Sequence, residues 1–297
     1  MSFRDDVNAL RGESLELRKV LGDFAPDGNP SGTKFYVDGT NGVAGNEGKS
    51  WGNPVATITQ AVAKATAGAG DVIFVAPGEY DEDVTVDVSQ VSLVGVGPRH
   101  SVRVTGVALG TSTALTLDGV QDVGVYNLNL EGRSGGSGIE LSGQIRRAQV
   151  SGCKLHGGAQ AVHLYSAAGA QIVDVRFEDN VIANSAIGIN MDYLNGDPSH
   201  QIVVKGNFFS KITTDCIVED GATHDWNVYD NVFSSSDGSE ATRFIDLDSV
   251  GSTGLVANNI FATTTSVDQQ AKFALASGVL FVANATEAGW STTAPTS

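Results

Sequence analysis

A six-residue segment that returns every 24–28 residues limits this chain to very few folds. VYNLNL (125–130), VSGCKL (150–155), FEDNVI (177–182), VKGNFF (204–209), VYDNVF (228–233) and VANNIF (256–261) align without gaps. Their fourth positions are Leu128, Cys153, Asn180, Asn207, Asn231 and Asn259. A second marker keeps the same period: GIEL, AVHL, GINM, CIVE and FIDL, anchored at Ile139, Val162, Ile189, Ile217 and Ile245. Each unit holds short alternating strands broken by Gly, Asn, Asp and Ser, with no long run of helical period. Such a unit cannot bury its apolar face alone, and stacking on its neighbours solves that. The predicted architecture is all-β, a single-stranded right-handed parallel β-helix. Leucine-rich repeats share the period but not the Leu pattern, and a propeller blade needs about 40–45 residues.

Stacking turns equivalent positions into columns, one strand spacing of roughly 4.8 Å apart. Phe209, Phe233 and Phe261 should stack inside. Asn180, Asn207, Asn231 and Asn259 should form a ladder at a turn, where Asn tolerates left-handed backbone. Cys153 takes the ladder position of its own coil, and Cys216 lies in another strand more than two coils away. That exceeds the reach of a disulfide, so both are expected as buried thiols.

The columns begin at DVIFVAPGEY (71–80) and QVSLVGVG (90–97). Residues 55–67 have helical apolar spacing at Ile58, Ala61, Val62 and Ala65, as expected of a helix capping the open end of the stack. Residues 1–30 carry Val7, Leu10, Ser14, Leu17, Leu21 and Phe24 at alternating spacings of three and four, a short heptad seam. It reads either as a helix packed on the domain or as an oligomerisation segment joining copies of the chain. The expected division is a helical anchor at 1–30, an N-terminal cap at 31–70, the β-helix at 71–265, and a C-terminal cap and tail at 266–297.

Charge narrows the partners. Acidic residues outnumber basic ones by 34 to 18, and the net charge of −16 would repel nucleic acid and anionic membranes alike. No apolar run is long enough to span a bilayer. The start, MSFRDDVNALRGE, has acids where a signal peptide needs bases.

Residues 35–86 begin with Tyr-Val-Asp-Gly and an Asn/Gly loop, followed by Ser50-Trp51. Ala-Thr-Ile-x-x-Ala-Val, Gly-Asp and Pro-Gly-x-Tyr come next. This stretch resembles the entry of right-handed β-helix proteins of the pectate-lyase-like superfamily, and the resemblance extends to about residue 265. It implies the fold. The superfamily includes polysaccharide lyases, glycoside hydrolases, esterases, phage tailspikes and other virion proteins, so it leaves activity open. The catalytic motifs of polygalacturonases, pectate lyases and pectin esterases are absent from the sequence.

Chemistry is sought on outward columns. Three residues beyond each inward Ile or Val, the column reads Ser142, Tyr165, Asp192, Asp220 and Asp248. The neighbouring column reads Glu140, His163, Asn190, Val218 and Asp246. Stacked carboxylates repel unless protonated, paired or screened. Asp192, Asp220 and Asp248 are therefore catalytic candidates, with Glu140, His163, Tyr165 and Asp246 as glycan-binding candidates. A Ca²⁺ site and a plain solvated face remain alternatives, and no other cofactor is expected. His156, His200 and His224 are scattered, so no metal site is expected from the histidines. Trp226 occupies an inward position and reads as core, although with Tyr229 it could offer a sugar-stacking surface.

Three functions follow. The first is a structural protein on the surface of a tailed-phage virion, a homotrimeric decoration protein or spike. It would be attached to capsid or tail proteins through 1–30, with oligomerisation at Val7, Leu10, Leu17, Leu21 and Phe24. It would be made in the host cytoplasm, with surface glycans as a further partner. The second is a depolymerase, hydrolase or lyase, acting on surface polysaccharide. The third is a secreted carbohydrate-binding β-helix.

Overall fold

The computed structural model describes residues 32–107, 111–166, 170–193, 199–221, 223–234, 241–262, 273–286 and 289–291. The heptad residues Val7, Leu10, Leu17, Leu21 and Phe24 lie outside these.

The chain is a right-handed parallel β-helix with three faces. The first sheet stacks ten strands, from Lys34–Val37 through Gln121–Tyr126, Ile145–Ser151 and Thr223–Tyr229 to Gly278–Val282. The second begins at Gly78–Asp81 and runs through Asn129–Glu131 and Val232–Ser234 to Asn284–Thr286. The third stacks Val84–Val86, Leu115–Asp118, Ser137–Ser142, Gln160–Ser166, Arg243–Leu247 and Phe273–Leu275. Two 13-residue strands, Val181–Tyr193 and Phe208–Asp220, bend through both the second and third sheets. Their pairing shifts register between Ser185 and Ile187, where the chain turns the corner.

Alternation fixes which side chains face in. Val125, Val150, Phe177, Val204, Val228 and Val256 follow one another in the first sheet and are fully buried. In the third sheet Ile139, Val162, Ile189, Ile217 and Ile245 do the same, as the repeat requires. Phe209, Phe233 and Phe261 stack with ring centroids 4.6 and 4.8 Å apart.

The Asn ladder forms at the turn between the first and second sheets. Asn231 Oδ1 accepts from the Asn207 backbone N–H at 2.8 Å and from Asn207 Nδ2 at 3.1 Å. Asn231 Nδ2 donates to Val204 O at 2.8 Å and to Asn259 Oδ1 at 2.9 Å. The ladder continues one coil further, from Asn259 to Asn284. The left-handed conformation falls one residue earlier than expected, at Asn127, Gly152, Asp179, Gly206, Asp230, Asn258 and Ala283. Gly, Asn and Asp tolerate that conformation best, so the turn's third position is written in the sequence. Cys153 closes the ladder: its N–H donates to Asn180 Oδ1 at 2.8 Å, and burial pushes its thiol up to about 12. Cys153 and Cys216 are both buried and not disulfide-bonded.

Helix α1, Ile58–Val62, covers the N-terminal end with Ile58, Ala61 and Val62 buried. It is shorter than the expected 55–67, because Lys64 and Ala65 donate to carbonyls three residues back and tighten the chain out of the helix. The other end also differs from expectation. Phe273–Leu275, Gly278–Val282 and Asn284–Thr286 carry all three columns past residue 265, and Gly289–Ser291 then turns back antiparallel. The first sheet likewise starts before residue 71, at Lys34–Val37.

Candidate functional site

The third sheet's outer surface brings the expected residues together. Ser142, Tyr165, Asp192 and Asp220 are consecutive partners across the strands. Asp248 lies two residues beyond Asp246, which pairs with Val218, and so continues the column past the last paired position. Glu140, His163, Asn190, Val218 and Asp246 form the neighbouring column. Asp220 and Asp248 are exposed and Asp192 is half-buried.

At one end, His163 joins three coils. Its Nδ1 lies 3.0 Å from Glu140 Oε2 and its Nε2 lies 2.9 Å from Asp192 Oδ2. Burial alone would lower the imidazole pKa. Hydrogen bonds and charge from Glu140 and Asp192 outweigh it, so the pKa stands above its ordinary value. The half-exposed Tyr165 ring sits 5.8 Å from the imidazole.

At the other end, Arg243 clasps two carboxylates. Its Nε donates to Asp215 Oδ1 at 2.8 Å, and its Nη1 pairs with Asp246 Oδ2. Asp246 is only 5% exposed, and its Oδ1 is shut off from solvent. Burial raises the Asp246 carboxyl to about 6; Arg243 opposes this, and Asp248 and Asp215 reinforce it.

Asp215 and Arg243 are not among the residues read from the sequence. They are register partners, two positions before Ile217 and Ile245. Extending the column rule two residues backwards exposes them as an acid facing a base. Glu219 is a second unforeseen carboxylate. It follows Leu164 and Met191 along an inward column and accepts from Trp226 Nε1 at 2.9 Å. Trp226 is fully buried, so it is core, with this carboxylate satisfying its N–H. Tyr229 is half-buried on the first sheet, with Lys205 Nζ 5.5 Å from its ring.

Among the described residues, no group of three or more His, Cys, Asp or Glu side chains is arranged to hold a metal ion. The acids of the column succeed one another along the axis instead of converging on a point.

These features define a right-handed parallel β-helix with a run of ionisable groups along one outer face. The chain belongs to the family described as Protein of unknown function (DUF1565), whose model matches residues 37–290. No curated protein matches the sequence significantly. Among solved structures, the pectin methylesterase of Aspergillus niger shares 16% identity at a TM-score of 0.58, over 87% of each chain. The pectin methylesterase PemA of Erwinia chrysanthemi shares 14% identity at a TM-score of 0.53, over 88% of this chain and 92% of its own. A GH136 lacto-N-biosidase from Eubacterium ramulus shares 12% identity at a TM-score of 0.59; the match covers 86% of this chain and 56% of that enzyme. At these identities the likeness is one of fold.

Proposed function

We propose that the third outer face binds a glycan and hydrolyses it, with Asp246 as the proton donor. The observation that carries this reading is the Asp246 carboxyl group. It is buried on an outward column and held by Arg243 on one oxygen. The fold neighbours support the substrate class, since pectin methylesterases and a lacto-N-biosidase act on carbohydrate.

The chemistry needs an acid and a base on opposite sides of a glycosidic bond. Asp246, protonated below about 6, donates its proton to the glycosidic oxygen. Asp220 lies on the diagonal from Asp246, one coil away and two residues along. Strand geometry gives a Cα separation of roughly 8 Å for that diagonal. Inverting enzymes set their carboxyls about 6.5–9.5 Å apart, a gap that two side chains on this diagonal can span. Asp220 then accepts a proton from the attacking water as the water's oxygen bonds to the anomeric carbon and the bond to the leaving sugar breaks. Asp215 and Arg243 hold the acid in position.

Asp246→Asn should lower the cleavage rate at least 100-fold while leaving glycan affinity within threefold, measured by reducing-end release and by calorimetry. The wild-type rate should fall about tenfold per pH unit above pH 6, because the acid form is the active one. An Asp246→Asn variant that cleaves at the wild-type rate would sink the reading.

A second reading keeps the glycan face without cleavage, on a homotrimeric virion-surface protein. The heptad spacing of Val7, Leu10, Leu17, Leu21 and Phe24 favours it. Light scattering and immunogold labelling of particles test it: a monomer at high concentration, or unlabelled particles, would exclude it.

A further inference from the structure

We infer that copies of this chain pack side by side, axes parallel, through the two outer faces that meet at the Asn ladder on the last four coils. The second-sheet face of one copy lies on the first-sheet face of the next, and the contact closes into a ring of three. The number three rests on the homotrimeric reading above. The surface itself depends neither on that reading nor on the glycan face.

The first observation is exposed apolar bulk in register. On the second sheet Phe208, Val232 and Ile260 are consecutive outward partners. Phe208 and Ile260 are 41% and 46% exposed. Earlier in the stack the same column is polar, with Glu79, Arg103, Asn129 and Lys154 in succession. It turns apolar at Val181, which pairs with Phe208. Around the ladder corner, Leu255 and Leu280 are register partners on the outward side of the first sheet, and Leu280 is 60% exposed. Single exposed apolar side chains need no explanation, but a contiguous run marks an interaction surface.

The second observation is charge. Each copy carries −16, so two copies repel wherever acids face acids. On and beside these two faces the charges of the described residues cancel: Lys205 and Lys211 stand against Asp225 and Asp230. On the same coils the third face carries Asp220, Asp246 and Asp248 around Arg243. A second copy therefore approaches across the ladder corner at the least electrostatic cost.

The third is area. Each face is four coils tall and two outward residues wide. Strand geometry makes that about 19 by 14 Å, roughly 270 Å² of sheet plane. A twofold pair through one face would bury only that much and leave the other apolar face bare. A contact between two different faces is heterologous and closes into a ring that covers both. The buried plane then doubles and gains the corner and the relief of the side chains, approaching the about 800 Å² per partner of a stable interface.

The test uses the full chain in size-exclusion chromatography with light scattering. At about 10 μM the wild type should run at three times its own mass. Phe208→Asp with Ile260→Asp should weaken association at least 100-fold, with circular dichroism confirming the fold. The control, Val43→Asp with Val107→Asp, adds the same charge at exposed valines away from these faces and should keep the trimer. Ser234 and Asn227 stand three and four residues either side of the ladder residue Asn231, so the ring brings them opposite each other. The native thiols are buried. A short bismaleimide should therefore join Ser234→Cys chains to Asn227→Cys chains at least tenfold more than either to itself. A dimer, or like-with-like crosslinking, would overturn the ring. Equal losses in the face variant and the control would overturn the surface. A trimer that survives the face variant but is lost with Leu10→Asp and Leu17→Asp would overturn the inference and leave the homotrimeric reading standing. A monomer at every concentration would overturn both.

Discussion

Ala283 occupies a position that every earlier coil from residue 127 onward gives to Asn, Gly or Asp. Its φ of 51° sets its Cβ against the following carbonyl, at roughly 1–2 kcal/mol. Ala283→Gly removes that strain but adds freedom to the unfolded chain. The net expected gain is about 0.5–1 kcal/mol in urea unfolding, and no gain would place the strain elsewhere. His163 offers a test with a pH signature. Its folded pKa is raised, so its contribution is fully present below the unfolded value and is lost as pH rises through the folded one. His163→Gln should therefore destabilise the protein more at pH 6 than at pH 9. An equal deficit at both would mean that the bridge to Glu140 and Asp192 contributes no charge–charge stabilisation. The sequence column predicts that His163 lies near acids, but not that it spans three coils, because that depends on the reach of its imidazole across two strand steps.

Among the elements, helix α1 depends on a residue from a distant turn. Glu82 accepts from the Ile58 N–H at 2.8 Å, from the Thr59 N–H at 3.0 Å and from the Thr59 hydroxyl at 2.8 Å. Thr57 and Gln60 complete a capping box. The helix is only five residues long and would not persist alone. Glu82→Ala should lower stability by about 1–2 kcal/mol and raise hydrogen exchange at the Ile58 and Thr59 amides. Unchanged exchange would assign the cap to Thr57 alone. Residues 55–67 announce a helix by their apolar spacing, but its end at Val62 is set by the following turn and by what the end of the stack needs covered.

At the level of the whole molecule, each coil contacts its neighbours, so stability accumulates along the axis. The −16 net charge acts against this accumulation, since equivalent acids lie one strand step apart. The Debye length falls from about 10 Å at 0.1 M salt to 3 Å at 1 M, below that step. The melting temperature should therefore rise between 20 mM and 0.5 M sodium chloride, measured by circular dichroism. A fall would mean that ion pairs such as Arg243 with Asp215 outweigh the repulsion. The same stacking explains how the sequence could reveal Asp192, Asp220 and Asp248 as one column. In a solenoid, residues a fixed interval apart become neighbours, so distance in the sequence maps onto distance in space.

That mapping is also the limit of what the sequence by itself determines. The period, the inward and outward alternation, the Asn ladder and the Phe stack follow from it, because each involves equivalent positions on adjacent coils. Contacts between non-equivalent positions do not. Arg243 reaches Asp246 within its own strand, and Trp226 meets Glu219 across the core between two sheets. Tertiary structure decided these pairs, because they depend on where the chain turns its corners and which side chains meet across the interior.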